Sequence, residues 1–192
     1  MLERLWNGWR STYVSSVPPP ADRPVEGATS VFTEILRSGL PDDETHVVHR
    51  GETVFAILNA YPYATAHTLV LPYREVPDLE GLTAAEHVEL WATVTDAVRA
   101  IKAAYQPEGL NVGLNLGRPA GGSVAQHLHV HVVPRWTGDS NFMTATANTR
   151  TIPEALPATA ARLRAAWPAI GGPRTRPAIG GPTTSTLPPS LS

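Results

Sequence analysis

Apolar residues recur along the chain with two different periods, and each change of period marks an element. Thr53–Asn59 and His67–Leu71 are runs of β-branched and other apolar residues, which predicts two strands. The segment between them, Ala60-Tyr-Pro-Tyr-Ala-Thr-Ala66, carries a proline that suits a connection, so the two runs are expected to pair antiparallel. The spacing then lengthens. Val88, Trp91, Val94, Val98 and Ile101 recur every three or four residues, which predicts a helix with these side chains facing the sheet and an end before Gln106-Pro-Glu-Gly109. Thr83-Ala-Ala-Glu86 is a capping-box sequence for its start. Leu110–Leu116 and His127–Val133 read as two more strands on either side of Gly117-Arg-Pro-Ala-Gly-Gly-Ser123. A last helix is expected within Ile152–Trp167, where Pro153 suits a first turn and Pro157 should kink the helix or delay its start.

Strands in runs, helices set beside them and connections too short for several βαβ crossovers indicate an α+β fold with a largely antiparallel sheet. The pattern fails at both ends. Leu2, Leu5, Trp6, Trp9 and Tyr13 give residues 2–14 a helical stripe, cut off by Val17-Pro-Pro-Pro-Ala-Asp-Arg-Pro24. From Pro168 onward the hexapeptide PAIGGP occurs twice and large apolar residues are sparse, so residues 168–192 are expected to be disordered. The expected organisation is an N-terminal helical segment with a proline-rich linker in 1–24, one domain in 25–167, and a tail in 168–192.

Composition narrows the chemistry. With 15 Lys+Arg against 17 Asp+Glu, the 192-residue chain lacks the broad basic surface of a nucleic-acid binder but can still hold a local site for a small phosphorylated ligand. It has no cysteine, which excludes disulfides, thiolate zinc sites and a cysteine nucleophile. Apolar runs such as Val54–Leu58 are far too short to span a bilayer, and MLERLWNGWR lacks the apolar region of a secretory signal, so a cytoplasmic location is expected.

The richest segment is Gly121-Gly-Ser-Val-Ala-Gln-His-Leu-His-Val-His-Val-Val-Pro134. On a strand, His127, His129 and His131 project from one face, with imidazoles about 6.6 Å apart along the chain, while Leu128, Val130 and Val132 point into a core. Such a row suits either a divalent metal or nucleophilic catalysis by one imidazole with its neighbours donating hydrogen bonds. No Asp or Glu lies between Glu108 and Asp139 to complete a metal shell, whereas Gly-Gly-Ser presents amides and a hydroxyl suited to phosphate oxygens. The row therefore favours phosphoryl chemistry.

His127-Leu-His-Val-His-Val-Val133 resembles the signature of the histidine triad (HIT) superfamily of nucleotide hydrolases and transferases. The resemblance extends over roughly residues 45–145, taking in His67-Thr-Leu-Val-Leu-Pro72, Ile57-Leu-Asn59 and Leu114-Asn115. Gly-Gly-Ser before the triad, Pro134-Arg-Trp136 and Gly138-Asp-Ser-Asn-Phe-Met143 after it, and Leu2, Trp6 and Tyr13 at the start look most like the actinobacterial diadenosine tetraphosphate phosphorylase branch.

That resemblance implies a HIT-like α+β fold, a mostly antiparallel five-stranded sheet with a packed helix. It implies an enzyme that cleaves dinucleoside polyphosphates to ADP and ATP through a nucleotidyl-His129 intermediate. His131 and Ser123 would donate to phosphate or leaving-group oxygens, and His127 and His67 would act as a relay setting the nucleophile's protonation. Asn59 would contact ribose, Ile57 and Leu69 would line the base pocket, and Asn115, Gly122, Ser123 and Gln126 would lie near the phosphates. Many members carry Gln where Ser123 stands, and some tetraphosphate phosphorylases carry an acid where Gln126 stands. Among the arginines, Arg118 faces the proposed phosphates, while Arg50, Arg74 and Arg135 read as surface charges. No cofactor is required, although Mg²⁺ can accompany the polyphosphate. The acceptor is orthophosphate or water, and a homodimer or higher assembly is implied. Two readings stand beside this one: a nucleoside phosphoramidase or dinucleoside polyphosphate hydrolase, and a non-catalytic nucleotide- or metal-binding module.

Overall fold

Pairing of five short strands organises the chain, and the computed structural model describes residues 29–122, 124–139 and 154–167. In chain order they form α1 (Val31–Arg37), α2 (Asp42–Thr45), β1 (Val47–Arg50), β2 (Val54–Leu58), β3 (Thr68–Pro72), α3 (Ala84–Tyr105), β4 (Gly109–Leu114), a 3₁₀ turn (Arg118–Ala120), β5 (Val130–Arg135) and α4 (Leu156–Ala166). The sheet order is β1-β2-β3-β5-β4 and every neighbouring pair is antiparallel. β5 thus lies between β3 and β4, with Leu69 opposite His131 on one side and Gly113 opposite it on the other. The N-terminal helix expected in 2–14, the linker to Pro24, Ser123 and the tail from 168 lie outside the described residues.

Alternation along the strands sorts their side chains into two layers. Val54, Ala56, Leu58, Val70, Val130 and Val132 join Leu90, Ala97 and Ile101 of α3 and Leu163 of α4 in the main core. On the opposite face, Phe55, Ile57, Leu69 and Leu71 make a smaller cluster closed by Phe32 of α1. The capping box forms as expected: Thr83 accepts from the Glu86 amide and the Glu86 carboxylate accepts from the Thr83 amide. Gln106 ends the helix in the left-handed region at φ 48°.

Two expectations need correction, one open alternative resolves, and one helix is new. The inward face of α3 is Leu90, Thr93, Val94, Ala97, Ala100 and Ile101, while Val88 is 71% exposed and Trp91 39% exposed. Val94 and Ile101 thus face inward as expected and Val98 packs against the core, while Val88 and Trp91 turn away from the sheet. β5 begins at Val130 rather than His127, because continued pairing would set Leu128 opposite Pro72, which has no amide hydrogen; Leu128 donates to the Val76 carbonyl instead. α4 starts at Leu156, with Pro157 in its first turn, so the proline delays the helix rather than kinking it. Helix α1 is absent from the sequence expectation altogether, although Ser30 accepts from the Thr33 amide as its N-cap and Phe32, Ile35 and Leu36 share its inner side.

Candidate active site

Four imidazoles meet at the β3–β5 junction on the α1 side of the sheet. His67 directly precedes β3, His131 lies within β5, and His127 and His129 occupy the segment leading into it. His67, His127 and His129 are buried. The expected alternation holds in outline, since Leu128, Val130 and Val132 all enter the main core. The ring centroids of His129 and His131 lie 5.0 Å apart, and those of His67 and His131 5.1 Å apart.

Their partners fix where the protons sit, because a backbone amide only donates and a carbonyl only accepts. The Tyr63 amide donates to His67 Nδ1 at 3.0 Å, so His67 carries its proton on Nε2. That N–H donates to His131 Nδ1 at 2.9 Å, which leaves the His131 proton on Nε2. His131 Nε2 is buried with no hydrogen-bond partner among the described residues. A buried donor left in this state calls for a ligand. His129 Nδ1 donates to the His127 carbonyl at 2.8 Å, so its Nε2 presents a bare lone pair. His127 Nε2 donates to the Pro72 carbonyl at 2.8 Å, and its Nδ1 accepts from the Ser30 hydroxyl at 2.6 Å.

Burial is the main force on these rings. Desolvation pushes the pKa values of His127 and His129 below the ordinary imidazole value, and takes His131 down to about 4. All three are therefore neutral near pH 7, which is the state the hydrogen bonds require. One distant carboxylate does approach through folding. Glu75 accepts from the Ser30 amide at 2.8 Å, and the Thr33 hydroxyl is the main cause of its lowered pKa. Among the described residues no three His, Asp or Glu side chains are arranged to hold a metal ion. His127 spends both ring nitrogens on protein partners, which removes it from a three-histidine ligand set.

A cleft of about 400 Å³ opens between α1, α2 and the end of β2, lined by Val31, Ile35, Leu40, His46, Ile57 and Ala60 among others; none of the four imidazoles lines it, and Phe32 of α1 links the two regions. Ile57 lines it, whereas Leu69, its cross-strand partner, is buried in the apolar cluster beneath. Asn59 Oδ1 accepts from the Tyr61 amide, closing a turn, and Asn59 Nδ2 lies 3.3 Å from His67 Nδ1. Gly122 is packed so closely that a Cβ would sit 3.1 Å from the Gly117 carbonyl oxygen, to which its amide also donates at 3.4 Å. Asn115 and Gln126 are half-buried, with Asn115 following β4 and Gln126 preceding the triad. Arg50, Arg74 and Arg135 are held by Asp42, Glu86 and Asp139, while Arg118 is exposed at the start of the 3₁₀ turn.

The expected relay therefore divides. His67 is coupled to His131, while the His127 ring bonds to Ser30 and Pro72 and reaches His129 only through its own carbonyl. Three neighbours of the site escape the sequence reading. Ser30 touches His127; Phe32 sets its ring edge-on to His127 at 5.6 Å and lies 5.4 Å from His129; Tyr63 packs 4.8 Å from His67 and stacks 6.2 Å from His131. The signal for the first two was the Ser30 cap with Phe32, Ile35 and Leu36 at helical spacing behind it.

Comparison with known proteins agrees with this geometry. The chain is 48% identical over 168 residues to the AP-4-A phosphorylase of Mycobacterium tuberculosis, covering 86% of this chain and 85% of the relative. It is 34% identical over 95 residues to an asymmetrical bis(5'-nucleosyl)-tetraphosphatase of Schizosaccharomyces pombe, covering 50% of this chain and 52% of that one. A crystal structure of a zinc-bound histidine triad family protein from Mycobacterium smegmatis superposes with a TM-score of 0.60 at 27% identity, over 73% of this chain and 94% of the other. The family model for the HIT domain matches residues 41–138, a span that contains all four histidines of the cluster, and the chain belongs to that family.

Proposed function

We propose that this protein is an enzyme that cleaves dinucleoside polyphosphates, with diadenosine tetraphosphate as the substrate and orthophosphate as the acceptor. The observation that carries the reading is the pair of open nitrogens on neighbouring rings, a bare lone pair on His129 Nε2 and an unsatisfied N–H on His131 Nε2. The name of the Mycobacterium tuberculosis relative supports the same substrate. One base enters the cleft against Val31, Ile35 and Ile57. His129 Nε2 attacks the α-phosphorus; a P–N bond forms, the bridging P–O bond breaks, and ATP departs. Orthophosphate then attacks the same phosphorus, releasing ADP and restoring the lone pair.

ATP leaves as an anion that needs no proton, since the second pKa of a phosphate is about 6. His131 therefore has only to hydrogen-bond the developing charge, as a neutral imidazole N–H does. The amine leaving group of a phosphoramidate needs a proton, and a neutral imidazole is a poor acid, so the site favours polyphosphates. Mg²⁺ enters with the substrate as its counter-ion. A cytoplasmic location belongs to the same reading and is supported by a nucleotide substrate of this kind. No helix among the described residues is long and apolar enough to cross a membrane. Two copies pair through the outward stripe of α3, Val88 and Trp91, and the open sheet edge at β4, where Val112 is exposed. Sedimentation equilibrium reads that state.

The deciding experiment supplies diadenosine tetraphosphate with labelled orthophosphate and separates the products. Labelled ADP with unlabelled ATP in equal amounts is expected. AMP with ATP would make water the acceptor, and tight binding without turnover would make the chain a binding module.

A further inference from the structure

We propose that Ser30 is a positioning residue for the nucleophile: its hydroxyl anchors the His127 ring in the tautomer that the Pro72 carbonyl sets, and through the His127 carbonyl it keeps the attacking nitrogen of His129 bare. The inference rests on the reading of His129 as nucleophile. Ser30 is fully buried, lies 97 residues from His127 in the chain, and makes a buried 2.6 Å hydrogen bond to His127 Nδ1. The other ring nitrogen faces the Pro72 carbonyl, which only accepts, so Nδ1 must be the bare atom and the serine hydroxyl its donor. Reversing the tautomer would set the lone pair of Nε2 against the carbonyl oxygen 2.8 Å away. The ring is thus pinned at both ends.

A pinned ring holds the backbone that carries it, and the carbonyl of that same residue receives the Nδ1–H of His129 at 2.8 Å. If this carbonyl swung away, His129 would move its proton to Nε2 and lose its lone pair toward phosphorus. Ser30 is anchored in turn: its amide donates to Glu75 at 2.8 Å and its Oγ accepts from the Thr33 amide at 3.2 Å, capping α1. The same short helix packs Phe32 against His127 and His129 and turns Val31 and Ile35 into the cleft. Helix α1 therefore joins the wall of the base cleft to the ring that attacks, and Ser30 is the polar link in that connection.

The test uses the full chain with two substitutions. Ser30→Gly removes the hydroxyl and keeps most of the cap, since glycine costs only a few tenths of a kcal/mol there. Ser30→Thr keeps the hydroxyl. Ser30→Gly is expected to lower kcat about tenfold or more with KM changing less than about twofold, and Ser30→Thr to return kcat to within about threefold of the parent. Nitrogen-15 spectra of the histidine rings at neutral pH should show His127 protonated at Nε2 and His129 at Nδ1 in the parent, with His129 gaining Nε2–H in Ser30→Gly. An unchanged kcat in a folded Ser30→Gly would overturn the proposal, as would a change confined to KM. Should Ser30→Gly not fold, the parent spectrum decides, since His127 protonated at Nδ1 refutes the assignment outright. The spectra need no turnover, so an inactive parent would count against the proposed reaction while the tautomer was still being read.

Discussion

Among the described residues, one face of the sheet is closed by two helices and the other by the seven-residue α1, with Tyr73 and Val124 beside it. Beneath α3 and α4 the strands contribute Val54, Ala56, Leu58, Val70, Val130 and Val132, and the layer is mostly hydrocarbon, with Thr93 of α3 and Thr159 of α4 also buried. Beneath α1 a small cluster around Phe32 and Phe55 sits beside four imidazoles and an open cleft. Each buried ring would be costly if its nitrogens stayed unmatched, so the carbonyls of His127 and Pro72, the Tyr63 amide and the Ser30 hydroxyl match four of them, the His67–His131 bond matches two more, and two stay open. Thin cover and incomplete satisfaction are what leave chemistry possible on that side. The same strands thus carry stability on one face and reactivity on the other, and substitutions should separate the two.

The sharpest separation sets His129→Ala against Leu90→Ala. Removing the imidazole should lower turnover by about 10⁴-fold or more while the midpoint of thermal unfolding moves by only a few degrees. Leu90 is fully buried in the core under α3, so Leu90→Ala should lower stability by about 2–5 kcal/mol in urea titrations and leave kcat per folded molecule unchanged. A His129→Ala protein with full turnover would sink the proposed mechanism. A Leu90→Ala protein that stays stable but inactive would show that the two faces are coupled.

Acid should reach the two faces in different pH windows. His127, His129 and His131 are held neutral by burial, with folded pKa values below the ordinary 6.5 and that of His131 at about 4. As pH falls from 6.5 toward 4, the unfolded chain takes up protons that the folded rings refuse, so stability declines across that range and the histidine contribution levels off below it. Glu86 acts in the same sense but in a lower window. Its hydrogen bond to Arg74, with help from Thr83, lowers its pKa to about 2, so the stability it lends is present above its ordinary 4.5 and fades as pH drops toward 2. Urea titrations at pH 7.5, 5.5 and 3.5 resolve the two windows. The acid limb of kcat/KM should lie below 6.5, and a limb at or above 6.5 would contradict neutral, buried rings.

The chain reveals one face more readily than the other. The apolar runs of β2 and β3 and the Thr83–Glu86 cap are local signals that the tertiary structure leaves in force, and so is the alternation that separates the triad histidines from Leu128, Val130 and Val132. The α3 stripe misled only at Val88 and Trp91: Val94 and Ile101 do face inward, and the rest of the inner side is filled by Leu90, Thr93, Ala97 and Ala100, whose small or polar members drew less weight in the sequence. The start of β5 depends on a missing amide hydrogen at Pro72, a residue on another strand. The division of labour among the histidines was equally hidden, since His127 meets Ser30 across 97 residues and His67 meets His131 across 64.

The smallest effect is expected where neither face is touched. We place the C-terminal limit of the catalytic unit at Trp167. That residue is buried, its ring stacks 5.0 Å from His49 of β1, and its amide donates to the Leu163 and Arg164 carbonyls to close α4. A chain ending after Trp167 keeps all of these contacts and both layers, so its kcat, KM and unfolding midpoint should match those of the full chain within error. A chain ending before Trp167 removes a buried indole from the hydrocarbon face and should lose about 3–5 kcal/mol of stability, comparable to Trp→Ala in a core, with its remaining folded fraction still fully active. Loss of turnover in the longer truncation would instead assign residues 168–192 a part in the site on the α1 side.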